Sequence, residues 1–463
     1  MFSSSDLNRR VNIPGAGGMS RREAIRLGLV AAAGGLLLPY IGRSDTVVAP
    51  TADVRPPPSP RAKAVIQVWL WGGPAHLDTF DPKPEAGPDY CGPFTKPIET
   101  NVPGMRICEM LPLLAKQADK YSLIRSLTHG VNAHETAAYI VQTGHPAGAR
   151  DVYPGIGAVV SLFKGYGAGY RGLIPPYIVM SQPQGRFSES GFLGPRYKPF
   201  ATGGDPAAAR FLVEGIVSPS LTEERLKERR RLLAETDTFG RALRAHDPAA
   251  LKTFDRAGDE AYEMILGDAG KVFDLAQEPD AVRDRYGRNT LGQACLAARR
   301  LVERGVPYVT INANGWDTHK QHFQTMRRKL PELDQGVSGL LEDLSQRGLL
   351  DSTVVWVCGE FSRTPKVQNE APWNGGRNHY GKVQSALVAG GGLRGGQVVG
   401  STDAKGENAV ERPLHPADLL ETIYGQLGIA ADAKLPHPEG LDVRVLPGKT
   451  ELPQRTGAIR ELI

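Results

Sequence analysis

The side chains in this sequence best suited to chemistry are Asp, Glu, His and Arg residues that follow apolar runs. The fullest instance is Thr353 to Tyr380, TVVWVCGEFSRTPKVQNEAPWNGGRNHY. Thr353 to Cys358 is apolar and rich in β-branched and aromatic residues. Gly359 breaks the run, and Glu360, Arg363, Lys366, Arg377, Asn378 and His379 follow. Ala64 to Trp71 (AVIQVWLW) stops at Gly72-Gly73, and then come His76, Asp78 and Asp81. Val306 to Ile311 (VPYVTI) leads into Asn312, Asn314, Gly315, Asp317, His319 and His322. Asp and His gathered from separate strand ends, without cysteine, are ligands for a divalent metal ion such as Zn²⁺, Mn²⁺, Mg²⁺ or Ca²⁺. A cation so held polarises a phosphoryl or sulfuryl oxygen and lowers the pKa of a nucleophilic hydroxyl or water. Arg363 or Lys366 is then the candidate to hold the remaining anionic oxygens, Arg being the better fork.

These residues meet only if their strands are neighbours. Short apolar runs of this kind read as buried strands of a parallel sheet, whose carboxyl ends are where ligands bind. Ser122 to Arg125, Ile174 to Met180 and Ser385 to Ala389 read as further strands. Asn289 to Arg304 is an amphipathic helix, with Leu291, Cys295, Ala298 and Val302 on one face and Gly305 as its stop. Phe323 to Leu344 is a second, interrupted by Pro331, and Met110 to Lys120 and Pro416 to Leu427 read as shorter ones. Helix–strand–helix–strand order predicts a doubly wound, mostly parallel α/β sheet. Ala133 to Thr143 fits a helix closed by Gly144, with Thr136 in its first turn. A hydroxyl there faces free backbone N–H groups, which suits a nucleophile or an anion as well as a simple cap.

Hydrophobic residues make up 41% and charged residues 23% of the 463, ordinary for a globular protein with a large core. The net charge of +5 is small, and no basic patch interleaves with aromatics, which argues against nucleic-acid binding. Met19 to Tyr40 has a basic start, Ser20-Arg21-Arg22, and then a short glycine-containing apolar run. That is an export-signal pattern resembling a twin-arginine signal, too short and glycine-rich for a membrane span. Residues 1–52 are thus expected to be signal and processing region, 53–62 a Pro-rich linker, and 63–463 the α/β domain. The charged helices of about 218–285 read as an insertion with a solvated face. Cys91, Cys108, Cys295 and Cys358 lack metal-ligand spacing. Cys295 and Cys358 read as buried thiols, and export makes a Cys91–Cys108 bridge an open alternative.

Several ordered motifs resemble the exported bacterial family called domain of unknown function 1501. They are WGGPAHLDTFDPKP (71–84), HETAAYIVQTGH (134–145), YGRNTLGQACLAARRLVERGVPYV (286–309), GWDTH (315–319), GEFSRTPKV (359–367) and GGRNHYGKVQSALVAGGG (375–392). The resemblance implies the α/β fold of the alkaline phosphatase and sulfatase superfamily. It also implies a metal-binding Asp just after the first strand, here Asp78 or Asp81. The nucleophile opening a helix maps to Thr136 or His134. An Asp with a His shortly after maps to Asp317 with His319 or His322, and a late His to His379. The superfamily's Asp-His pair reads Glu360-Phe361 here, so one ligand is lost, and the sulfatase Cys-x-Pro-x-Arg pattern is absent.

Together these readings predict an exported metal-dependent hydrolase or transferase acting on phosphate or sulfate esters. Asp78, Asp81, Asp317, His319, His322, Glu360 and His379 are its metal candidates. Thr136, His134 and Arg363 are the catalytic candidates, and Lys366, Arg377 and Asn378 the substrate contacts. The alternative is a non-catalytic envelope protein of the same fold that binds an anionic glycan or a protein partner.

Overall fold

Every residue of β1 (Ala64–Leu70) is buried, and its alternating side chains supply both faces of a central sheet. The computed structural model describes residues 61–148, 150–182, 189–213, 223–238, 240, 242 and 269–463. The twin-arginine stretch, the Pro-rich linker up to residue 60 and much of the 218–285 insertion lie outside them. One compact unit, Pro50–Thr238 with Phe254–Ile463, holds the sheet. The other, Met1–Ala49 with Phe239–Thr253, lies outside the described residues except for Gly240 and Ala242.

After β1 the main elements are β2 (Tyr121–Leu127), α1 (His134–Thr143), β3 (Tyr177–Met180) and β4 (Phe200–Ala201). Then come α2 (Thr290–Glu303), β5 (Tyr308–Ala313), α3 (His322–Gln346), β6 (Thr353–Cys358), β7 (Gln384–Ala389), β8 (Val398–Val399) and α4 (Pro416–Leu427). The sheet order is β8-β2-β7-β6-β1-β5-β3-β4. Only β7 runs against its neighbours, β6 and β2, and the remaining ladders are parallel. The α/β, mostly parallel sheet predicted from the sequence is therefore the observed one.

Layers of helices cover both faces. Ile66, Val68 and Leu70 meet Leu296 of α2 and Leu330, Leu333 and Val337 of α3. Val65 and Trp69 belong to a second core with Val141 of α1 and Leu420 and Ile423 of α4. Each such aliphatic side chain contributes about 1.5–3 kcal/mol by leaving water. α3 runs 25 residues straight through Pro331, because its buried stripe outweighs one missing backbone hydrogen bond.

One expectation differs from what is observed, and two points that the sequence left open are settled. The helix read over 110–120 is two fragments, Pro112–Ala115 and the 3₁₀ turn Ala118–Lys120. β7 is antiparallel, a direction that apolar periodicity does not encode. All four cysteines are free and buried, so there is no Cys91–Cys108 bridge.

The register fixes where function can lie. Leu70 of β1 pairs with Ala313 of β5, and Trp69 pairs with Cys358 of β6, so the three strands end level. Their exits, Trp71-Gly72, Asn314–Asp317 and Gly359-Glu360, leave one carboxyl edge together. The backbones there are tied further, Trp71 N–H to Ala313 C=O (2.9 Å) and Trp316 N–H to Trp71 C=O (3.1 Å).

Candidate metal centre

Gly72 is the pivot of this edge. Its φ is +109°, and a Cβ there would lie 2.2 Å from the Asp317 backbone nitrogen. Only glycine permits both the turn and the approach. Beside it, Ser362-Arg363 and His379-Tyr380 form a two-residue antiparallel ladder that sets His379 opposite Arg363. α1 begins at His134 with a short extended entry at Ala133 and ends at Gly144 in the left-handed conformation, as its sequence predicts.

His134, Asp317 and His379 converge. One ligand atom from each lies within 4.8 Å of the others. His134 Nε2 is 3.4 Å from Asp317 Oδ2, and His379 Nε2 is 3.2 Å from Asp317 Oδ1. His319 Nε2 is 3.1 Å from the same Oδ1. Asp317 is 42% exposed, whereas the three rings are between 22% and 35% exposed, so the cluster opens to solvent. Trp71 stacks on His134 with ring centroids 5.5 Å apart. Phe361 packs against His134 and His379 at 4.9 and 4.6 Å. These aromatic rings limit where the imidazoles can turn.

Behind His134 sits Glu360, fully buried. Its Oε1 accepts from His134 Nδ1 at 2.6 Å, and both its oxygens accept from Gly72 N–H at 3.0 and 3.2 Å. The carboxylates of Asp317 and Glu360 push the His134 pKa up to about 9. Burial opposes ionisation of Asp317. Hydrogen bonds from His134 and His379 and the Arg363 guanidinium nonetheless hold its carboxyl far below the usual range. Arg363 is itself buried and donates to Gly72 C=O, Gly73 C=O and Asp317. It orients Asp317 and is not an open anion clamp.

The other candidates go elsewhere. Asp78 and His322 form a second, closed cluster. His322 Nε2 is 2.8 Å from Asp78 Oδ2, and the other ring nitrogen is 2.6 Å from Thr318 Oγ1. Arg377 Nε is 2.7 Å from the same Asp78 oxygen, and its terminal nitrogens serve Asp78 Oδ1 and the carbonyls of Thr364, Pro365 and Tyr90. Arg377 is thus a buried strut with no donor facing solvent. Asp81 is buried with Lys83 at 3.1 Å and Arg125 at 3.6 Å and accepts from Thr402. Asn378 lies against His319, its Oδ1 2.8 Å from Nδ1. Lys366 is exposed. Thr136 is half-buried and makes no hydrogen bond to the cluster. Two residues along a helix is about 200° around its axis, so a His134 that faces the rim turns Thr136 away from it.

Sequence reading missed two contributors, both in the loop THGVNAH before α1. Asn132 C=O takes His379 Nδ1 at 2.7 Å, and its side chain accepts from Gly381 N–H at 2.6 Å. His129 Nε2 donates to Glu360 C=O at 2.8 Å. The polar density of that loop was the available signal.

The profile of the family described as "Protein of unknown function (DUF1501)" matches residues 62–452, and the chain belongs to that family. No curated protein matches the sequence. Among solved structures it is similar to the lipoteichoic acid synthase LtaP from Listeria monocytogenes. Identity is 8%, with 84% of this chain and 75% of that one covered and a TM-score of 0.38. It is also similar to a protein in the alkaline phosphatase superfamily from Vibrio parahaemolyticus (10% identity, 89% and 76% covered, TM-score 0.38). A third is the PsFucS1 sulfatase from Pseudoalteromonas sp. (12%, 90% and 73%, TM-score 0.32). Among the described residues no helix is long and apolar enough to cross a membrane.

Proposed function

We propose that the protein is an exported, metal-dependent hydrolase or transferase acting on phosphate or sulfate esters at the rim cluster. One observation carries this reading: His134, Asp317 and His379, from three separate segments, aim ligand atoms at one solvent-facing point. The donor set of imidazole nitrogen and carboxylate oxygen fits a borderline divalent cation. Bound there, such a cation supplies Lewis acidity to a phosphoryl or sulfuryl oxygen.

The chain's own residues do the rest. Arg363 and the level strand ends hold Asp317 in place, and Glu360 fixes the ring of His134. Lys366, the exposed cation between the two strands of the small ladder, is the contact for an ester's free anionic oxygens. Arg377 supports that loop from beneath. With His134 turned to the rim and Thr136 away from it, a water is the better attacking oxygen and the Thr136 hydroxyl the weaker one. The twin-arginine pattern supports export in folded form.

Full-length protein assayed on an aryl phosphate and an aryl sulfate tests this. Expected is turnover of one ester, lost on chelation and in Asp317→Ala. Absence of turnover, with glycan retention unchanged in Asp317→Ala, would leave the non-catalytic binding reading instead.

A further inference from the structure

We propose that the rim cluster is a three-imidazole, one-carboxylate site for a first-row transition cation of the Zn²⁺ class. In it His319 is a fourth ligand, and Glu360 positions His134 without ligating. This deepens the metal-dependent reading above and rests on it.

Each ring spends its Nδ1 on an oxygen that accepts. His134 Nδ1 is 2.6 Å from the Glu360 carboxylate, His319 Nδ1 is 2.8 Å from Asn378 Oδ1, and His379 Nδ1 is 2.7 Å from Asn132 C=O. With Nδ1 so committed, each ring has Nε2 left for a cation, which at His134 displaces the proton shared with Asp317. His319 Nε2 is 3.0 Å from His379 Nε2 and 3.1 Å from Asp317 Oδ1, and His379 Nε2 is 3.2 Å from that oxygen. Ligands about 2.0–2.1 Å from a tetrahedral cation stand about 3.3–3.4 Å apart, so this triangle is within a few tenths of an ångström of a ligand face. Lone pairs facing one another repel unless a proton or a cation lies between them. Imidazole nitrogen suits Zn²⁺ and its first-row neighbours, whereas Mg²⁺ and Ca²⁺ take oxygen. Three nitrogens to one carboxylate decide for the former.

Glu360 is held back from this face. Its oxygens are committed to Gly72 N–H and His134 Nδ1–H, and it is fully buried. Carboxylate behind histidine behind metal is the arrangement that fixes tautomer and ring orientation, and losing it costs about 10–100-fold in metal affinity.

The test is titration of chelator-stripped, full-length protein with Zn²⁺, Co²⁺, Mg²⁺ and Ca²⁺ near neutral pH. Thermal unfolding in chelator confirms that each variant folds. Zn²⁺ and Co²⁺ are expected to bind one site at least 100-fold tighter than Mg²⁺ or Ca²⁺, with visible absorption from a four-coordinate Co²⁺ adduct. His319→Ala should weaken Zn²⁺ binding at least tenfold. Glu360→Gln should do so by 10–100-fold, yet add nothing in a His134→Ala background. Mg²⁺ or Ca²⁺ binding as tightly as Zn²⁺, an unchanged His319→Ala, or a full Glu360→Gln effect without His134 would overturn the proposal while leaving a metal site in place. If no cation bound at all, the metal-dependent reading itself would fall.

Discussion

Two clusters of the same residue types lie under one sheet edge and behave in opposite ways. In the Asp78–His322–Arg377 cluster both carboxylate oxygens and both ring nitrogens have protein partners, and all three residues are buried. In the Asp317 cluster the imidazole Nε2 atoms meet only one another and a half-exposed carboxylate. Residue type does not separate structure from function here. Spare valence and access to solvent do. The closed cluster clamps α3 and the 363–379 loop to the loop after β1, and the open one is where we propose that a cation binds.

The largest effect expected of any single change is on the closed cluster. Arg377→Met strands the Asp78 carboxylate, and denaturant unfolding should show a loss of about 3–5 kcal/mol. Asp317→Asn is the counterpart at the open cluster. Its stability in chelator should fall by about 2 kcal/mol, because buried Arg363 and His134 lose their carboxylate partner, while Zn²⁺ affinity by titration drops about 100-fold or more, the equivalent of roughly 2.7 kcal/mol.

Acidity should divide the clusters by sign. The pKa of His134 is raised to about 9 by Asp317 and Glu360. In the metal-free protein its contribution is therefore fully present below about pH 6.5 and lost as pH rises through about 9. That contribution is on the order of 2 kcal/mol after allowance for solvent screening. Burial lowers the pKa of His322, so its contribution is present above about pH 6.5 and lost on acidification. Thermal unfolding across pH with and without His134→Ala should flatten the alkaline limb alone. Cation affinity should rise toward pH 9 as the competing proton leaves His134. The smallest effect belongs to Lys366→Ala, for which stability should move by less than about 0.5 kcal/mol. KM for an anionic ester should rise a few-fold with kcat little changed, checked by steady-state kinetics.

Much of this architecture was legible. β1, β5 and β6 read as apolar runs because strands covered on both faces have no polar side to show. The glycines after them mark the level edge. The direction of β7 was not legible, since periodicity is the same for either sense. Asp317, His134, His379 and Glu360 were each visible as residues after strand ends or at a helix start. Their division of labour was not, because sequence gives residue type and withholds partners. His322 looked equivalent to His319. Starting α3 three residues later turns its ring into the buried layer against Asp78, while His319 stays at the rim. Thr136 looked the better nucleophile by chemistry, and helix geometry gives the facing position to His134.

The central claim is that the rim cluster, and not the buried one, holds a cation. Anomalous diffraction from crystals of the protein grown with Zn²⁺ tests it most directly. The account predicts one strong peak bounded by His134 Nε2, His379 Nε2 and Asp317. A crystal with no peak there, or with its peak beside Asp78 and His322, would contradict it.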